Sequence, residues 1–157
     1  MTMQQLRLTM PTPEATQAFA ATLAPRLAAG DVILLSGGIG AGKTHFARSL
    51  IQSLQSPPED VPSPTFTLVQ VYDTPKGEVW HADLYRLTNP DECIELGLVD
   101  AFETAICLIE WPDKLEDLTP SDALHLEMID ANKDDSREVS CHWTSPKWDQ
   151  ILDGAQP

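Results

Sequence analysis

Hydrophobic and polar positions along the chain fall into stretches of two different periods. Leu6, Leu8 and Met10 alternate with polar residues, which predicts a short edge strand. Thr12-Pro13-Glu14 reads as a helix start, because Thr12 supplies a capping hydroxyl and Pro13 fits a first turn that needs no N–H. Ala15, Ala18, Phe19, Thr22, Leu23 and Leu27 then recur at helical spacing, and Gly30 is expected to end that helix. Asp31 to Ser36 is a run of buried-strand type, and Lys43 to Leu54 is helical in pattern. Residues 55–65 are polar and carry Pro57, Pro58, Pro62 and Pro64, which predicts a loop with freedom to move. Phe66–Tyr72 and Glu78–Asp83 predict two strands joined at Pro75-Lys76-Gly77 as a hairpin. Asn89-Pro90 starts a short helix that Gly97 is expected to stop. Ala105 to Ile109 is a second buried strand, ending at Glu110-Trp111-Pro112. Leu124, Leu126 and Met128, then Val139 and Cys141, alternate as a late antiparallel pair, and Ser145-Pro146 is a candidate cap for a short C-terminal helix.

This order predicts an α/β fold with a mixed sheet of the phosphate-loop NTPase type. Its centre is parallel, its flanking strands are antiparallel, and helices lie on both faces. No repeat or internal linker interrupts the pattern, so residues 1–157 are expected to form one domain.

Composition narrows the partners. The net charge is −14 and hydrophobic residues make up 42% of the chain. An acidic surface repels phosphate backbones and anionic membranes. Direct, tight binding of tRNA or other nucleic acid is therefore not expected, although a basic partner could accept an acidic face. Cys93, Cys107 and Cys141 are odd in number and show no metal or redox spacing, as expected of reduced thiols. The start lacks a basic region followed by an apolar run, and no apolar stretch is long enough to span a membrane. The expected location is cytoplasmic.

Between the first buried strand and its helix lies Gly37-Gly38-Ile39-Gly40-Ala41-Gly42-Lys43-Thr44, a full Walker A match. Its glycines let backbone N–H groups cradle phosphate oxygens, and the helix presents its positive end. Lys43 is suited to reach the β- and γ-phosphates, and the Thr44 hydroxyl to bind Mg2+. A triphosphate site also needs an acid near the metal, and two strand-end carboxylates qualify. The uninterrupted run before Glu110 favours it as the metal-side group, directly or through a bound water. Asp83 ends a strand interrupted by His81, and suits water orientation or general-base work. On pattern alone each could equally be a solvated strand-end acid.

Other signals weigh less. Ser63-Pro64-Thr65-Phe66-Thr67 sits where a switch segment senses the γ-phosphate, with Thr65 as its hydroxyl. Taken alone, a rigid turn feeding a strand is the better account of it. Asn132-Lys133-Asp134-Asp135 matches the guanine-reading motif N-K-x-D. No D-x-x-G precedes it, and its polar surroundings fit a hairpin tip. His45, His81, His125 and His142 form no metal spacing and read as surface or packed histidines. Trp80, Trp143 and Trp148 read as packing; Trp111 adjoins Glu110 at the expected site mouth, although taken alone it too reads as packing.

Taken in order, the glycine loop, Ser63-Pro64-Thr65-Phe66-Thr67-Leu68-Val69, His81-Ala82-Asp83-Leu84-Tyr85-Arg86-Leu87, Glu95-Leu96-Gly97 and Leu108-Ile109-Glu110-Trp111-Pro112 resemble the TsaE (YjeE) family over roughly residues 12–137. These are bacterial ATPases of tRNA threonylcarbamoyladenosine biosynthesis. The resemblance implies ATP and Mg2+ as ligands, with Thr44 and Glu110 on the metal. It implies that Lys43 and the backbone of Gly38, Ile39, Gly40, Ala41, Gly42, Lys43 and Thr44 hold the phosphates. Asp83 would be required for hydrolysis, Thr65 would belong to a switch-like loop, Trp111 would border the site, and Thr16 would lie near the base. Arg86 would serve an ion pair or a partner contact. The implied ATPase is weak alone and is stimulated by the TsaB–TsaD pair, in which TsaD performs the carbamoyl transfer and which ATP turnover would reset. Two departures stand out: Gly38 replaces the usual aspartate, and Ala82 a common phenylalanine. The alternatives are a small-molecule kinase, which would need more arginines around the phosphates, a nucleotide-gated binding module with negligible turnover, and, more distantly, a GTPase.

Overall fold

The computed structural model describes residues 2–38, 40, 42–130 and 136–155. Its first strand, β1 (Gln4–Met10), leads into α1 (Pro13–Leu23). Thr12 caps α1 as expected, its hydroxyl accepting the N–H of Ala15 at 3.2 Å. The helix stops at Leu23 rather than running on toward Gly30. Pro25 removes a backbone donor, and the chain tightens into a 3-10 turn over Ala24–Arg26. The buried stripe of α1 is Thr16, Phe19, Ala20 and Leu23, so Ala18 faces outward.

The central unit is β2 (Val32–Ser36), the glycine loop and α2 (Lys43–Ser53), followed by the hairpin of β3 (Val69–Thr74) and β4 (Gly77–Asp83). β3 starts three residues later than its apolar pattern suggests, because residues 65–67 turn and Leu68 adopts a φ of 71°. Two helices follow, not one: α3 (Asp91–Glu95) and α4 (Leu98–Thr104). Gly97 separates them at a φ of 85°, so the residue that stops one helix also starts the next. β5 (Ile106–Glu110) is buried at every position. A 3-10 stretch over Pro112–Leu118 leads to β6 (Leu124–Asp130), β7 (Arg137–Trp143) and α5 (Lys147–Ile151).

These strands form one sheet in the order β1-β7-β6-β2-β5-β4-β3. β6, β2, β5 and β4 pair in parallel, while β1, β7 and β3 join antiparallel. Alternation along the central strands feeds two cores. Ile33, Leu35, Ile106 and Leu108 pack with Phe19 of α1, Phe46 of α2 and Trp148 of α5. Val32, Leu34, Cys107 and Ile109 pack with Cys93 of α3 and with Leu98 and Phe102 of α4. Helices therefore cover both faces, which explains why β2 and β5 read as continuous apolar runs. Trp143 and Trp148 are buried, in line with a packing role. The pairing of β6 with β7 reaches Asp130 and Arg137, and Asn132-Lys133-Asp134-Asp135 lies outside the described residues. No helix among the described residues is long and apolar enough to cross a membrane.

Candidate nucleotide-binding site

The parallel centre brings the carboxyl ends of β2, β4 and β5 side by side. Leu35 pairs with Glu110, and Glu110 with Asp83, so the two acids end adjacent strands at one level. Flanked on both sides, Glu110 is 3% exposed and Asp83 5%. In open α/β sheets ligands bind at this end of the strands.

Gly40, Lys43 and Thr44 line the same cavity as the two acids. Gly40 and Gly42 take φ values of 79° and 99°, which side chains rarely adopt. Lys43 opens α2, and its Nζ donates to the carbonyls of Gly37 at 2.8 Å and Gly38 at 2.9 Å. Burial pushes its pKa down, while the charges of Glu110 and Asp83 push it back up. The ammonium also lies 4.1 Å from the centre of the Trp111 ring, a cation–π contact. Trp111 reaches that position from a left-handed backbone, φ 56° and ψ 55°, and its ring packs against Tyr85 at 4.8 Å. Thr44 follows Lys43, and its hydroxyl lies 3.0 and 2.9 Å from the two oxygens of Glu110.

Asp83 is held from two sides. Thr65 donates to its Oδ2 at 3.2 Å, and the backbone N–H of Tyr85 to its Oδ1 at 3.0 Å. Thr65 in turn shares a hydrogen bond with Ser63 at 2.8 Å. The segment suspected of being a switch thus ties directly to a strand-end acid. Arg86 sits 5.2 Å from the ring centre of exposed Phe66, a cation–π contact that links β4's exit to the same segment.

Gly40, Lys43, Thr44, Thr65, Asp83, Glu110 and Trp111 line one cavity of about 280 Å³, together with Ser63 and Tyr85. Thr16 does not reach it. With Pro13, Met128 and Val139 it lines a second, more apolar cavity of about 300 Å³ on the other side of Gly40 and Gly42. Gly38 contributes its carbonyl, and a Cβ there would meet nothing within 4 Å. Ile39 and Ala41 lie outside the described residues.

Some contacts were not legible in the pattern. His81 is not simply a packed histidine: it is fully buried, with Nε2 2.6 Å from Glu110 Oε2. The interruption of an otherwise apolar strand is the signal that could have exposed it. Arg137 donates to the Gly40 carbonyl at 3.0 Å from distant β7, which no local pattern reveals.

A glycine loop and helix start at the carboxyl end of a central parallel strand, faced by a neighbouring strand's carboxylate, define a mixed α/β protein of the phosphate-loop kind. The sequence model of threonylcarbamoyl adenosine biosynthesis protein TsaE matches residues 10–139, and the chain belongs to the TsaE family. The tRNA threonylcarbamoyladenosine biosynthesis protein TsaE of Rickettsia prowazekii (strain Madrid E) is 38% identical over 127 residues, spanning 80% of this chain and 88% of the relative. That of Bacillus subtilis (strain 168) is 36% identical over 139 residues, spanning 88% and 85%. The crystal structure of Bacillus subtilis YdiB matches at a TM-score of 0.78 and 28% identity, across 99% of this chain and 96% of that one.

Proposed function

We propose that the chain binds ATP with Mg2+ at the glycine loop and hydrolyses it slowly. In this reading it is an accessory subunit for threonylcarbamoyladenosine modification of tRNA, acting on the TsaB–TsaD pair. The observation that carries the ATP reading is the Thr44 hydroxyl resting on both oxygens of Glu110, in the cavity that Lys43 also lines. The names of its relatives support the link to tRNA modification.

The residues present fit the metal. Mg2+ prefers hard oxygen donors and retains several waters, so a hydroxyl and a carboxylate suffice as protein ligands. Among the described residues, no cluster of three or more His, Cys, Asp or Glu side chains offers a rival cage. When bound, Mg2+ neutralises charge spread over the phosphates.

The rest is done by the chain. Lys43 exchanges the Gly37 and Gly38 carbonyls for phosphate oxygens. Thr44 and Glu110 would hold the metal, Glu110 directly or through a water. Asp83, fixed by Thr65 and the Tyr85 N–H, orients the attacking water and takes up its proton. Positioning and electrostatics account for most of the acceleration. The apolar cavity beside Thr16 suits the nucleoside. A net charge of −14 favours docking on partners that hold tRNA over gripping tRNA directly.

Phosphate release from ATP, measured alone and with TsaB–TsaD, tests the reading. Slow release that the pair accelerates is expected. Release unaffected by the pair contradicts the accessory role, and transfer of phosphate to a metabolite makes the protein a kinase.

A further inference from the structure

His81 occupies a position that apolar packing alone would fill more cheaply. The ring is 0% exposed in β4. Its Nδ1 is buried without a hydrogen-bond partner, a burden of about 1–3 kcal/mol for a polar group. Val79, two residues earlier on the same face, packs into the core with Ile106 and Leu108. A branched apolar side chain at position 81 would extend that packing and leave no orphan nitrogen.

The ring's one polar contact is Nε2 to Glu110 Oε2, at 2.6 Å. In sheet register His81 lies opposite Leu108 of β5, not Glu110. The ring therefore leans along the strand by two positions to make the contact. A carboxylate only accepts, so Nε2 is the donor in this contact, and Nδ1 is left without a partner. Glu110 is thus gripped from two sides. Thr44 spans both of its oxygens, whereas His81 engages Oε2 alone. Oε2 takes both contacts, whereas Oε1 takes only that of the Thr44 hydroxyl.

We infer that His81 is a positioning residue for the metal-side carboxylate: its contact with Oε2 fixes Glu110 in the orientation in which it would serve Mg2+. The inference rests on the Mg2+-ATP reading above. A partner that orients a metal-binding group typically contributes about 10–100-fold in metal affinity or activity.

The test is a Mg2+ titration of ATP binding and of phosphate release, with thermal melts as a check on folding. His81→Gln keeps a donor near the Nε2 position. His81→Leu fills the space without a donor, and His81→Asn keeps polarity but falls short of Glu110. The expected result is a half-saturating Mg2+ concentration raised about 10–100-fold in His81→Leu and His81→Asn. Binding of Mg2+-free ATP stays unchanged, and His81→Gln recovers most of the loss. A structural role would be served by leucine as well as by glutamine. Wild-type half-saturation in folded His81→Leu, or in His81→Asn should the leucine variant not fold, overturns the inference alone. If the wild-type protein itself shows no Mg2+ dependence, the site reading fails and the inference falls with it.

Discussion

Asp83 illustrates how much of the site is decided side chain by side chain. It is buried at the end of β4, and both of its oxygens accept hydrogen bonds, from Thr65 and from the Tyr85 N–H. Neither donor belongs to the glycine loop, whose lysine is held by the Gly37 and Gly38 carbonyls; Asp83 acts on that loop through its charge on Lys43. Asp83→Asn is expected to bind ATP like the wild type while releasing phosphate about 10²–10⁴-fold more slowly, as measured by paired binding and single-turnover assays. Equal loss of binding and turnover would point to a structural role. At this scale Lys43, Thr44, Asp83 and Glu110 were all legible in the sequence, because each lies at the boundary of a strongly patterned segment. His81, Ser63 and Tyr85 were not. Their roles come from a leaning ring, a hydroxyl pair and a backbone N–H, and side-chain periodicity reports none of these.

Elements were legible where one period dominated and illegible where a special backbone conformation intervened. β2, β5, α2 and the late antiparallel strands follow their patterns closely. Three features do not: α1 ends early at Leu23, before Pro25, β3 starts late after Leu68, and Gly97 begins a second helix as well as ending the first. A positive φ is invisible in composition until the backbone is seen. At Gly97 an added Cβ would meet Trp80 Cη2 at 3.4 Å, an ordinary contact, so the cost lies in the φ of 85°. Gly97→Ala is therefore expected to destabilise the protein by about 1–2 kcal/mol, read as a lower denaturant midpoint.

The buried strands also set a pH response. Burial pushes the Cys107 thiol of β5 and the Cys141 thiol of β7 up to about 12, from an ordinary 9.0. Above that ordinary value the unfolded chain releases thiol protons that the native protein still holds. Stability from these groups is complete below the unfolded pKa and is lost as pH rises through the window up to about 12. Each thiol accounts for a loss of about 1.4 kcal/mol by about pH 10. Denaturation curves at rising pH should show a shallower decline in Cys107→Ala than in the wild type. Parallel declines would contradict the assignment.

For the whole molecule, charge and topology point the same way. The sheet gathers the ends of β2, β4 and β5 into one cleft, while the net charge of −14 lies on a chain with only 10 lysines and arginines. Association with a basic partner would be steered by that charge and weakened by screening. Stimulation of ATP turnover by TsaB–TsaD is accordingly expected to fall as salt rises, while basal turnover changes little. Salt-independent stimulation would indicate an apolar docking surface. The mixed fold could be read from the order of patterned segments, whereas the pairing of β7 with β1, and with it the reach of Arg137 to Gly40, could not. Long-range pairing leaves no local trace.

The central claim is that Lys43, Thr44 and Glu110 together hold ATP with Mg2+. Calorimetric binding of ATP with and without Mg2+, in the wild type and in Glu110→Ala, tests it most directly. The account predicts that Mg2+ tightens ATP binding to the wild type and that Glu110→Ala loses this gain while still binding Mg2+-free ATP. A Glu110→Ala protein that retains the full Mg2+ effect would contradict it.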